Sequence, residues 1–147
     1  MKILDLTLAA LLAGTLTVSA QGLKTEGAVD TIIDAPVVTE EKPVADEDAR
    51  IAAAIEKSGT NAAEIRKRSQ VGKVDIVVVP GLTEPNSPLS KTIEQNRDRI
   101  DALRAEIEGS AIFYHALDSS GILLRDVVAV EFGGDDATIF VAGRATN

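Results

Sequence analysis

Residues 112–143 read IFYHALDSSGILLRDVVAVEFGGDDATIFVAG, and this stretch decides the fold. An apolar helix with Ile112, Phe113, Ala116 and Leu117 on one side is expected to end at Gly121, glycine being the residue that tolerates a left-handed C-terminal stop. Two strands then follow. In 126–132, Val128, Val130 and Phe132 alternate with Val127, Ala129 and Glu131; in 137–142, Ile139 and Val141 oppose Thr138 and Phe140. Between them Gly133-Gly134-Asp135-Asp136 supplies residues suited to the positive φ of a tight hairpin turn.

Sliding the chain by 62 positions brings a second copy of this pattern into view. Ser58-Gly59 falls on Ser120-Gly121, Glu64-Ile65 on Asp126-Val127, Gly72 on Gly134, and Val79 and Gly81 on Val141 and Gly143. Six of the 31 positions from Ile51 to Gly81 are identical, and each match has a structural duty: a helix end, a stop, a turn or an aliphatic strand. Convergence on one helix–hairpin pattern explains so low an identity as well as duplication does. The copies differ where DVVAVEF in the second answers to EIRKRSQ in the first, a segment too polar to bury two faces.

The remaining elements follow from period and capping. A helix is expected from about Asp46 to Lys57, with Ile51 and Ile55 on one face, acids in its first turn and Gly59 as its stop. Asn61-Ala62-Ala63-Glu64 has the form of a capping box ahead of Ile65. Lys73–Val79 (KVDIVVV) predicts a strand closed by Pro80-Gly81. Ser87-Pro88 begins the longest helix, whose Leu89, Ile93, Ile100, Leu103 and Ile107 share a face. Arg97 with Asp101 and Arg104 with Glu108 are i,i+4 pairs on its solvated side. Gly109-Ser110 breaks that helix. The fold class is therefore α+β: two helix–β-hairpin repeats forming a two-layer domain, with an antiparallel sheet of about four strands covered by helices on one face.

The chain divides into a signal peptide (1–20), an acidic flexible linker (21–44), a first repeat (45–82), a loop and long amphipathic helix (83–110) and a second repeat (111–147). Met1-Lys2 precedes an eleven-residue apolar run from Leu6 to Leu16, and Val18 and Ala20 are small residues placed for cleavage before Gln21. That run is too short for a bilayer span, which needs about 20 apolar residues. Ala28–Ile33 is the one part of the linker with the makings of an edge strand. The expected product is periplasmic or secreted, with no integral membrane span in the mature chain.

There is no cysteine, which excludes disulfides, thiolate metal sites and a thiol nucleophile. Three Phe, one Tyr and no Trp leave the core to Val, Ile, Leu and Ala, and a formal charge of −8 disfavours nucleic acid and anionic lipid. Candidate binding residues are the basic cluster Arg66, Lys67, Arg68 and Lys73, suited to an acidic partner, to phosphate or to discouraging edge-to-edge aggregation, and the lone aromatic–imidazole pair Tyr114 and His115. His115 with Asp118 and neighbouring serines suggests a hydrolytic triad on paper, but a triad is a matter of three-dimensional geometry, and a polar rim on an apolar helix accounts for the same residues. Asp135-Asp136 suits a turn better than a calcium loop. No catalytic residue, metal or cofactor is assigned.

The segment L-D-S-S-G, D-V-V-A-V and T-I-F-V (117–141) resembles repeats in small exported bacterial proteins of unknown function, and residues 46–143 are distantly similar to the BON module of cell-envelope proteins. The resemblance implies an envelope setting and names no ligand. The expected function is a non-catalytic exported, envelope-associated interaction module whose partner is a protein or envelope component. The alternatives are a periplasmic inhibitor or chaperone-like binder and, third, a small hydrolase using His115.

Overall fold

A computed structural model describes residues 35–143. The proposed signal segment, residues 144–147 and the candidate strand Ala28–Ile33 lie outside them. The elements in order are β1 (Val37–Glu41), α1 (Val44–Glu56), α2 (Ser58–Lys67), β2 (Val74–Pro80), α3 (Ser90–Gln95), α4 (Arg97–Glu108), α5 (Ala111–Ser119), a 3₁₀ turn (Leu124–Asp126), β3 (Val127–Gly133) and β4 (Asp136–Gly143). The α+β class and the four strands stand as expected. Among the described residues no helix is long and apolar enough to cross a membrane.

The sheet order is β1-β2-β4-β3, and the sheet is mixed rather than antiparallel. β1 pairs with β2 and β2 with β4 in parallel; only the β3–β4 hairpin is antiparallel. The cause is connectivity. The helices between β1 and β2 return the chain in its original direction, whereas those after β2 lead into β3 in the opposite direction, and the hairpin turn then lays β4 parallel to β2.

Helices also cover both faces, not one. Val74 and Ile76 of β2 join Ala137, Ile139 and Val141 of β4 in a cluster with Phe113 and Leu117 of α5, Ile65 of α2 and Leu103 and Ile107 of α4. Val77 and Val79 turn the other way, meeting Phe140, Ile51 and Ile55 of α1, Leu82, Leu89 and Ile100. A nearly continuous aliphatic strand such as VDIVVV buries two faces, as parallel strands do. Each fully buried Ile, Leu or Phe is worth about 1.5–3 kcal/mol, whereas an exposed ion pair contributes about 0–1, so this core dominates the stability.

The linker assigned to 21–44 ends in structure. Val37–Glu41 forms β1, because β2 offers a free edge and the β-branched pair Val37-Val38 fits extended backbone. The first repeat holds no hairpin: the residues matched to the start of β3 lie on α2, where Ala62-Ala63 and straight-chain polar residues favour helix. Gly59 therefore sits inside a helix, and the joint between α1 and α2 is Lys57 (φ −88°, ψ 4°). Asn61 caps nothing at that helix start. The strands matched by the repeat, β2 and β4, do lie side by side, one residue out of repeat register: Val79 pairs with Ala142. Val79 and Val141 accordingly face opposite clusters.

The long helix of 88–108 is two. It breaks at Asn96 (φ −110°, ψ 15°), whose side-chain amide donates to the Thr92 carbonyl at 2.9 Å, a local bond that competes with helix. Ser87 Oγ accepts from the Leu89 N–H at 3.3 Å, but the first regular helical residue is Ser90. On the charged side, Arg97 pairs with Glu94 and Arg104 with Asp101, both at i−3, in place of the expected i+4 partners.

The C-terminal hairpin forms as expected, around a two-residue loop with Gly134 at φ 64°. Gly121, at φ 66°, ends α5, and the Ile122 N–H reaches back to the Leu117 carbonyl at 2.9 Å. One detail differs. A bulge between Val127 and Ala129 turns Val128 and Ala129 to the α1 side while Val127, Val130 and Phe132 face α5. An extra residue in one strand breaks the strict alternation.

The two sheet edges are treated differently. Along the outer side of β3, Asn61 of α2 donates its amide to the Val130 carbonyl at 2.6 Å, and Arg104 Nε donates to the Val127 carbonyl at 2.8 Å. β1, at the other edge, is largely exposed.

Candidate functional site

The basic cluster is built where α2 ends and the chain turns into β2. Arg66 and Lys67 occupy the last turn of α2, where cations complement the helix dipole. Arg68 is the first extended residue beyond it, and its N–H closes the helix on the Glu64 carbonyl at 3.1 Å. The following loop is tied to the hairpin turn: the Gly72 N–H donates to the Asp135 carbonyl and the Ala137 N–H to the Lys73 carbonyl, both at 2.9 Å. A Cβ at Gly72 would stand 2.8 Å from Asp136 Oδ1, so a larger residue there would push that exposed side chain aside.

Arg68 is the centre of the region. Its guanidinium lies 4.4 Å from the centroid of the Phe132 ring, and its Nη2 donates to the Gly134 carbonyl at 3.0 Å. Its Nε is buried with no hydrogen-bond acceptor among the described residues. Phe132 is in turn held edge-on by Phe113, with centroids 6.0 Å apart.

Arg66 points to α4. Its Nε donates to Glu106 Oε2 at 3.0 Å and its Nη2 to Glu106 Oε1, a two-point fork on one carboxylate. That bond raises the Arg66 guanidinium above its ordinary value and holds the Glu106 carboxyl below its own.

A groove of about 340 Å³ opens between these arginines and the start of α5. Ile65 and Ile112 supply apolar surface, Ser69 and Ser110 hydroxyls, and Glu106 one wall. Ser110 precedes α5 without making a side-chain cap bond. On its other side Arg68 borders a second hollow of about 320 Å³, with Asn61, Glu64 and Glu131.

The six residues singled out in the sequence do not form one site. Arg66 and Arg68 share the groove. Lys67 turns to Glu64 at 3.6 Å on the same helix. Lys73 pairs with Asp75 at 2.9 Å, which raises its pKa, and lines neither hollow. Tyr114 and His115 are exposed on α5 and lie outside both hollows. Beside them, Ser119 Oγ donates to the Ala116 carbonyl at 3.2 Å. Among the described residues no three acidic or histidine side chains gather as a metal site.

Glu106, Ser110 and Phe132 are the partners that sequence reasoning missed. Glu106 stands 40 residues from Arg66 on a helix face that reads as solvated, so no local spacing reveals the pair. What the groove can do follows from its chemistry: two arginines, two serines and apolar flanks in one lining suit an anionic group carried on an apolar stem. Comparison with protein-family models, curated proteins and solved structures gave no match.

Proposed function

We propose that the chain is a small exported, non-catalytic interaction module of the cell envelope that holds a partner through the Arg66–Arg68 groove. The observation that supports this is that Arg66 and Arg68 both line one open hollow, with the guanidinium of each engaged by the protein's own acceptors. Fixed donors lose little freedom on binding, which is what a recognition surface needs. Export is supported by the Met1–Ala20 pattern. The test is crosslinking in intact cells with mass spectrometry, comparing wild type with the double charge reversal R66E/R68E. Loss of the crosslinked partner is expected; unchanged capture rejects the groove as the binding surface. Recovery of the protein only from the cytoplasm, with residues 1–20 intact, rejects export.

A second reading, an inhibitor or chaperone-like binder that captures an extended segment at the sheet edge, is supported by the contrast between the sealed β3 edge and exposed β1. Proline at Thr39 would then abolish capture, and R66E/R68E would leave it intact.

A further inference from the structure

The groove beside α5 already contains a carboxylate, and that carboxylate indicates what the groove recognises. Glu106 occupies the fork of Arg66, and both residues belong to the groove lining. Arg68 needs no such partner to stay in place. The Phe132 ring and the Gly134 carbonyl hold it, and a guanidinium has five N–H donors, so these contacts leave donors over. Ser69 and Ser110 add hydroxyls to the same hollow, and Ile65, Ala111 and Ile112 add the apolar surface along which a methylene stem can lie.

We propose that this groove binds the carboxylate of an Asp or Glu side chain on an extended segment of a partner protein, and that the incoming carboxylate displaces Glu106 from Arg66. The inference rests on the binding-module reading and names its ligand class. Charge selects the occupant. The chain carries −8 overall and Glu106 lines the groove, so a polyanion or an anionic membrane meets repulsion. A single carboxylate brings one negative charge against that field where a polyanion brings many, so the repulsion it meets is smallest. The size agrees: about 340 Å³ holds one side chain and its neighbours.

The test is calorimetric titration of the purified full chain with a short peptide bearing two Glu residues, with the matched Gln peptide and with inorganic phosphate. The Glu peptide is expected to bind and the Gln peptide is not. R66Q and R68Q should each weaken binding about tenfold or more, as for a lost charge-assisted bond. E106Q, which frees Arg66, should tighten it about threefold, a gain that a purely structural role for Glu106 would not produce. Circular dichroism confirms that each variant is folded, and S110A, which removes a hydroxyl from the groove lining, should also weaken binding and keeps the test open should an arginine variant unfold. Equal binding of both peptides, weaker or unchanged binding by E106Q, or phosphate binding as tightly as the Glu peptide would each overturn the proposal. Peptide binding without cellular capture sinks the partner reading alone, and capture without peptide binding sinks the carboxylate alone.

Discussion

Asn61 on α2 donates its side-chain amide to the backbone carbonyl of Val130 at 2.6 Å, 69 residues further along the chain. That bond closes the outer edge of β3 against a helix. Both groups are buried, so the bond matters for what its absence would leave behind. Asn61→Ala strands a buried carbonyl and should cost about 1–3 kcal/mol, read as a fall in the urea midpoint at unchanged slope. Asn61→Asp sets two acceptors against each other and should cost more.

Phe140 is fully buried against α1 and carries the Arg50 guanidinium 5.2 Å from its centroid. Arg50 also bonds Glu131 at 2.6 Å, so one residue joins α1 to both strands of the hairpin. Phe140→Ala opens a cavity and should lose about 3–5 kcal/mol in chemical denaturation, while Arg50→Ala, at a more exposed position, should lose much less.

Gly143 faces Pro80 across the parallel β2–β4 pair, where a Cβ would lie 2.8 Å from Val78 Cγ1 and 3.3 Å from the Pro80 backbone. Gly143→Ala should therefore destabilise by about 1–3 kcal/mol, through a clash rather than a backbone preference. A double variant with Val78→Ala should recover part of the loss.

Glu106 titrates lower in the folded chain than in the unfolded one because it accepts from Arg66. Its stabilising contribution is then fully present above the ordinary carboxylate value of about 4.3 and disappears as pH falls through the lowered folded value. The stability difference between wild type and E106Q should be flat from neutral pH down to about pH 5 and shrink on further acidification. A difference that grows with acid would contradict the Arg66–Glu106 pairing.

Much of the fold was legible because it is local. Period alone locates α1, α4, α5 and β2, and Gly121 and Gly134 mark the stop and the turn that their positive φ requires. Other features escape a reading by window. The bulge at Val128 is invisible in VVAVEF, since inserting one residue into an apolar strand changes no composition. Gly59 in α2 imitates a stop because its sequence surroundings resemble those of Gly121. Within the groove, only the basic half was legible. Arg66 and Arg68 announce themselves as a cluster, whereas Glu106 comes from α4 and Ser110 from the link into α5, and the Phe132 that holds Arg68 from β3.

The chain by itself determined the helix of Val44–Glu56, the strand Val74–Pro80, the helices of Arg97–Glu108 and Ala111–Ser119 and the C-terminal hairpin, because capping, period and β-branching act over a few residues. The tertiary structure decided the direction and order of the strands, which side of the sheet each helix covers, and which acid meets which arginine. Those choices depend on connections and packing across tens of residues. The hairpin at 127–143 shows both levels. Its turn and strands are written in its own residues, but its place beside β2, parallel and with both faces buried, follows from the helices that carry the chain around it.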